Sequence, residues 1–142
     1  MREVFTSKDE AETLAIARAF AGTITPGTVV ALTGELGAGK TVFARGICEA
    51  LGAEGDVTSP TFTLIHEHCG RDAVVYHMDF YRLESPEEIV NIGAEDLLYG
   101  DTICLVEWAE KMGKLFPVNA VWVTIEHDGG SRRIITIERK DD

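Results

Sequence analysis

Basic residues are scarce in this chain. Thirteen lysines and arginines stand against 24 aspartates and glutamates in 142 residues, a net charge of −11. A protein that grips nucleic acid by itself needs a basic surface to displace phosphate counterions. Autonomous binding of RNA or DNA is therefore disfavoured, and any role on a nucleic acid runs through a partner. Cysteine is scarce too. Cys48, Cys69 and Cys104 are odd in number and far apart, which argues against a disulfide framework and for a reducing cytoplasm. No apolar run approaches the ~20 residues of a membrane span, and Met1–Thr6 lacks the apolar core of a signal peptide. The expectation is a cytoplasmic protein with no membrane partner. Internal repeats, linkers and low-complexity segments are absent as well. A hydrophobic content of 45% and a charged content of 26% are ordinary for a globular chain, and the length suits one domain over residues 1–142.

What is present is organised around Gly34-Glu35-Leu36-Gly37-Ala38-Gly39-Lys40-Thr41, which fits the phosphate-loop pattern G-x-x-x-x-G-K-[ST] without a mismatch. Thr28–Leu32 before it reads as a buried strand and Val42–Leu51 after it as a helix, the context this motif requires. The glycines let the backbone turn tightly and aim its N–H groups inward. The following helix adds its positive N-terminal end. Lys40 supplies an ammonium for the β- and γ-phosphates of a nucleotide, and Thr41 supplies a hydroxyl for Mg²⁺.

Ser7-Lys8-Asp9-Glu10 matches a capping box, with Ser7 as cap, and predicts a helix to about Phe20 with Ala11, Leu14, Ala17 and Ala21 on one face. Two readings fit Val57-Thr58-Ser59-Pro60-Thr61-Phe62-Thr63-Leu64: a hydroxyl-rich loop that senses a γ-phosphate, or an edge strand with a proline. His66-Glu67-His68-Cys69, closed by Gly70, reads as a solvated hairpin end rather than a metal cluster, since no second ligand pair follows at zinc spacing. Two strands end in acids, 73–80 carrying Asp79 and 102–107 ending in Glu107. Carboxylates at such strand ends are Mg²⁺ or water ligands in phosphate-loop enzymes. Between them, Ser85-Pro86-Glu87-Glu88 starts a short helix. Trp108 is either a core aromatic or a neighbour of the nucleotide. The arms 120–126 and 133–138 alternate in hydrophobicity around Asp128-Gly129-Gly130 and predict a β-hairpin, with Arg132 and Arg133 just past its turn.

Four motifs in order, the phosphate loop, Ser59–Leu64, His77-Met78-Asp79-Phe80-Tyr81-Arg82-Leu83 and Val106-Glu107-Trp108, resemble the small bacterial P-loop ATPase family TsaE, also called YjeE. The resemblance runs from one end of the chain to the other. It implies an α/β fold: a single P-loop NTPase-like domain with a mixed parallel and antiparallel sheet flanked by helices and a C-terminal β-hairpin. It implies an ATPase, feeble alone, that works with the proteins TsaB and TsaD in N6-threonylcarbamoyladenosine modification of tRNA, touching tRNA only indirectly. By position, Lys40 and the loop from Glu35 through Leu36, Gly37, Ala38, Gly39 and Thr41 to Val42 would hold ATP or ADP. Thr41 with Glu107 would hold Mg²⁺, and Asp79 would serve the metal or orient water. Thr61 would sense the γ-phosphate and Trp108 would lie beside the site. Glu10 would approach the nucleotide, in competition with a capping role, and one of Arg132 and Arg133 would reach it from the hairpin. Val42 departs from the second hydroxyl that many relatives carry, which leaves Thr41 as the loop's metal-binding hydroxyl.

Other users of a phosphate loop are less well matched. A small-molecule kinase calls for an arginine-rich lid, and no stretch of the chain supplies one. A GTP switch calls for N-K-x-D and D-x-x-G segments, which are missing. A nucleotide-dependent scaffold that does not hydrolyse shares every residue above.

Overall fold

The computed structural model describes residues 1–35, 37–53, 65–71, 74–81, 83–91, 93–109 and 116–139. The elements in chain order are β1 (Arg2–Ser7), α1 (Glu10–Ala21), β2 (Val29–Thr33), α2 (Lys40–Ala50), β3 (Ile65–Cys69) and β4 (Val74–Asp79). They continue with α3 (Pro86–Asn91), α4 (Ala94–Leu98), β5 (Ile103–Glu107), β6 (Val121–His127) and β7 (Arg133–Glu138). The strands form one seven-stranded sheet in the order β1-β7-β6-β2-β5-β4-β3. Its centre, β6-β2-β5-β4, is parallel, and β7, β1 and β3 add antiparallel flanks. This is the mixed sheet expected from the sequence, with the C-terminal hairpin in place.

The two central strands are the most apolar. Every residue of β5 and the first four of β2 are buried, as continuous apolar runs covered on both faces require. Period-two alternation divides the sheet's side chains between two cores. Val30, Leu32, Val75, Ile103 and Leu105 pack with Ala17, Phe20, Phe43 and Ile47 of α1 and α2. Ala31, Met78, Cys104 and Val106 face the other way, with Leu83, Ala94 and Leu98.

Helices α1 and α2 approach closely because Gly46 has no side chain. A Cβ there would lie 2.6 Å from the Cβ of Ala17 and 3.1 Å from the carbonyl oxygen of Leu14. The start of α1 differs from the sequence expectation. Asp9 is the N-cap, and its carboxylate accepts from the Glu12 N–H at 2.9 Å. Ser7 is the last residue of β1, paired with Arg133, and its hydroxyl meets the Thr13 hydroxyl at 2.7 Å. Strand pairing claims Ser7 first, so the cap falls two residues later. The buried stripe of α1 accordingly holds Thr13, Ala17, Phe20 and Ala21, while Ala11 is exposed.

Ser85 stands before α3 as expected, with Glu88 N–H donating to its hydroxyl at 3.4 Å, while the Glu88 carboxylate reaches one residue further back and accepts from the Glu84 N–H at 2.8 Å. Strands β3 and β4 make the expected hairpin around Gly70. His68 is buried there rather than solvated, because it shares a sheet position with buried Val75.

Candidate functional site

The segment between β2 and α2 turns on three glycines in the left-handed half of backbone space. Gly34, Gly37 and Gly39 take φ of 146°, 81° and 110°, where a side chain is strained. Gly34 has a second constraint, since a Cβ there would stand 2.4 Å from the carbonyl oxygen of Ile125 on β6. Gly39 is the N-cap of α2 and offers no side chain, so no side-chain cap closes the N-terminal N–H groups of the helix. Such groups favour an anion.

Lys40, the first residue of α2, is 5% exposed. Its ammonium lies 4.2 Å from the centroid of the Trp108 ring. Among the described residues no carboxylate comes within ion-pair distance of it. Trp108 follows β5 with φ of 60°, a left-handed conformation that is costly for a bulky residue. The turn brings the indole back over Lys40 and against Tyr81, with ring centroids 5.0 Å apart. Trp108 thus packs against the second core cluster and also covers Lys40 at the start of α2.

The two acids meet through the sheet. Leu32 pairs with Glu107 on β5, and Glu107 pairs with Asp79 on β4. Both carboxylates therefore lie at the carboxyl ends of parallel strands, next to the point where β2 enters the loop. Paired residues share a face, and this face is the one covered by α2. Both acids are 3% exposed. One Asp79 oxygen accepts from the Tyr81 N–H at 2.8 Å. Glu107 Oε2 is 2.6 Å from His77 Nε2. His77 was legible only as part of a motif. The usable signal was its place two residues before Asp79, hence on the same strand face.

The hairpin separates the two arginines. Arg133 Nε donates to the carbonyl oxygen of Ala38, inside the loop, at 2.9 Å. Arg132 instead faces Asp128, with 3.7 Å between Nε and Oδ2. A cavity of about 220 Å³ opens beside the loop, lined among others by Glu10, Gly37, Gly39, Val42, Ser131 and Arg133. Glu10 is free of the capping role and pairs with Arg45 of α2 at 2.5 Å. Glu35 is exposed, Ala38 is fully buried, and the Thr41 side chain is half-buried at the start of α2. Leu36 and Val57–Leu64, with the expected sensor Thr61, lie outside the described residues. A larger cavity of about 380 Å³ lies between α1 and strands β1 and β7 and holds none of the expected residues.

The three cysteines are free thiols. Burial pushes the Cys48 and Cys104 thiols up to about 11, with Glu49 adding to the effect at Cys48 and a Thr102 hydrogen bond opposing it at Cys104. Among the described residues no helix is long and apolar enough to cross a membrane.

Comparison with known proteins adds the family. Residues 7–135 match the model of the threonylcarbamoyl adenosine biosynthesis protein TsaE. The chain is 42% identical over 125 residues to the tRNA threonylcarbamoyladenosine biosynthesis protein TsaE of Bacillus subtilis, covering 88% of this chain and 78% of that one. It is 36% identical over 137 residues to the protein of the same name from Rickettsia typhi, covering 96% and 94%. The crystal structure of Bacillus subtilis YdiB superposes with a TM-score of 0.85 at 33% identity, covering 98% of this chain and 86% of that one. With the family model spanning most of the chain and its fold matched over nearly all of it, this protein belongs to the TsaE family of threonylcarbamoyl adenosine biosynthesis proteins.

Proposed function

We propose that this chain is a cytoplasmic ATPase that serves as accessory factor in the threonylcarbamoyladenosine modification of tRNA, acting on the modification machinery through TsaB and TsaD. The observation that carries the nucleotide reading is the buried Lys40 ammonium with no carboxylate in ion-pair range among the described residues. Burying an unpaired charge is costly. A polyphosphate at the mouth of α2 would offset that cost, where the glycine loop already turns its backbone around such a ligand.

The donor set also fits Mg²⁺. A threonine hydroxyl and two buried carboxylates are hard oxygen ligands, and Mg²⁺ takes one or two carboxylates and completes its shell with water and phosphate oxygens. Thr41 and Glu107 would hold it, with Asp79 beside them. When bound, it would neutralise charge on the β- and γ-phosphates. The protein's own share is positional. Lys40 leaves the indole to pair with the transferred phosphate's oxygens, and Asp79 orients the attacking water for in-line displacement. Arg133 steadies the loop through Ala38, and the cavity between Glu10, Val42 and Ser131 takes the nucleoside end. A net charge of −11 supports leaving tRNA to a partner.

The test combines two measurements. The purified chain should hydrolyse ATP slowly, with Mg²⁺ required, and should be retained by TsaB and TsaD in a pull-down with ATP. Phosphate transfer to a nucleoside or metabolite faster than hydrolysis would replace this reading with a kinase. Failure to bind TsaB and TsaD with or without ATP would remove the assignment to tRNA modification.

A further inference from the structure

His77 is fully buried at a position where an apolar residue would pack. On β4 it stands between Val75 and Asp79 in the row that faces α2, opposite Leu105 of β5. Its Nδ1 has no hydrogen-bond partner among the described residues. An imidazole in that setting costs desolvation energy, and a single polar contact sets against it: the 2.6 Å contact of Nε2 with Glu107 Oε2. An ionised carboxylate only accepts, so Nε2 carries the proton and donates. Glu107 sits at the end of its strand, followed by the left-handed turn at Trp108. Backbone pairing fixes its Cα but not its three side-chain torsions. The imidazole restrains them at one carboxylate oxygen.

We propose that His77 is the positioning residue of the Glu107 carboxylate, holding it through Nε2–H···Oε2 in the orientation that receives Mg²⁺ at the phosphate loop. This rests on the nucleotide and Mg²⁺ reading above and names the residue that prepares its metal ligand. One carboxylate oxygen is tethered to the sheet, so the group meets the cation with its torsions already restrained. Partners of this kind are typically worth about 10- to 100-fold in metal affinity.

Two amide substitutions separate the hydrogen bond from the packing. In His77→Gln the amide nitrogen reaches the place of Nε2. In His77→Asn it reaches only the place of Nδ1. Both fill most of the same space with a polar group, and circular dichroism checks that both are folded. The readout is the binding of a fluorescent ADP analogue, first in EDTA and then across a MgCl₂ titration. In EDTA all three proteins should bind the analogue alike. In MgCl₂ the half-saturating concentration should rise about tenfold or more in His77→Asn, while His77→Gln keeps most of the wild-type response. An Asn variant that matches wild type in Mg²⁺, or a Gln variant as weak as Asn, overturns the hydrogen-bond role. A loss in EDTA equal to the loss in Mg²⁺ reduces His77 to a packing residue and overturns it too. Wild-type protein that binds no analogue would refute the nucleotide reading itself, and wild-type binding indifferent to Mg²⁺ would refute both metal assignments.

Discussion

The Lys40 ammonium rests 4.2 Å from the centroid of the Trp108 indole. A cation over an aromatic face is worth about 2 kcal/mol or more when desolvated, whereas a polyphosphate offers the ammonium several charge-assisted contacts at once, each roughly twice as strong as a neutral hydrogen bond. Nucleotide should therefore draw Lys40 off the ring. With Trp122, the second of two tryptophans, replaced by Phe, emission reports on Trp108 alone. ATP or ADP with Mg²⁺ should change it, and Lys40→Ala in the same background should show no response. Lys40→Ala should also lower hydrolysis about 100-fold or more while the thermal midpoint stays close to wild type. Turnover retained in that variant would remove the loop from the active site.

Arg133 and Arg132 are neighbours in sequence with different partners. Arg133→Ala removes the donor to Ala38 and should weaken nucleotide binding by about 1 to 2 kcal/mol. Arg132→Ala loses only an exposed pair with Asp128 and should bind within a few tenths of a kcal/mol of wild type. Isothermal titration with ADP distinguishes them, and equal losses would contradict the geometry.

Gly46 inverts the usual propensity rule. In a helix interior, Gly→Ala ordinarily stabilises by about 0.5 to 1 kcal/mol. Here the new methyl would meet Ala17 Cβ at 2.6 Å and the Leu14 carbonyl at 3.1 Å. Gly46→Ala should destabilise by about 1 to 3 kcal/mol. Urea denaturation gives the sign directly, and a stabilised variant would show that α1 and α2 can move apart cheaply.

The thiols predict a pH dependence. Cys48 and Cys104 ionise near 11 in the folded chain against 9.0 unfolded. Between those values the unfolded state gives up protons that the native state keeps, so stability falls as pH rises. The slope approaches ~1.4 kcal/mol per pH unit for each thiol and levels off above 11. At pH 8 a thiol reagent should label exposed Cys69 in the native protein and all three cysteines in denaturant. Rapid labelling of Cys48 or Cys104 without denaturant would contradict their burial.

The phosphate loop was legible in the sequence because its determinants are consecutive: glycines for the turns, a lysine and a threonine where the helix begins, and an apolar strand before it. Two strands ending in Asp79 and Glu107 and the final hairpin were legible for the same reason, since a strand's period and its end are local properties. Other features needed the fold. Ser7 satisfied the capping pattern, yet pairing with Arg133 drew it into β1 and passed the cap to Asp9. Whether Arg132 or Arg133 met the loop depended on which of them began β7. That Asp79 and Glu107 stand side by side followed from the strand order β2-β5-β4, and so did the His77 contact. Local rules act over a few residues, whereas these contacts join segments 28 or more positions apart, and only burial of both sheet faces fixes which strands become neighbours and in what register.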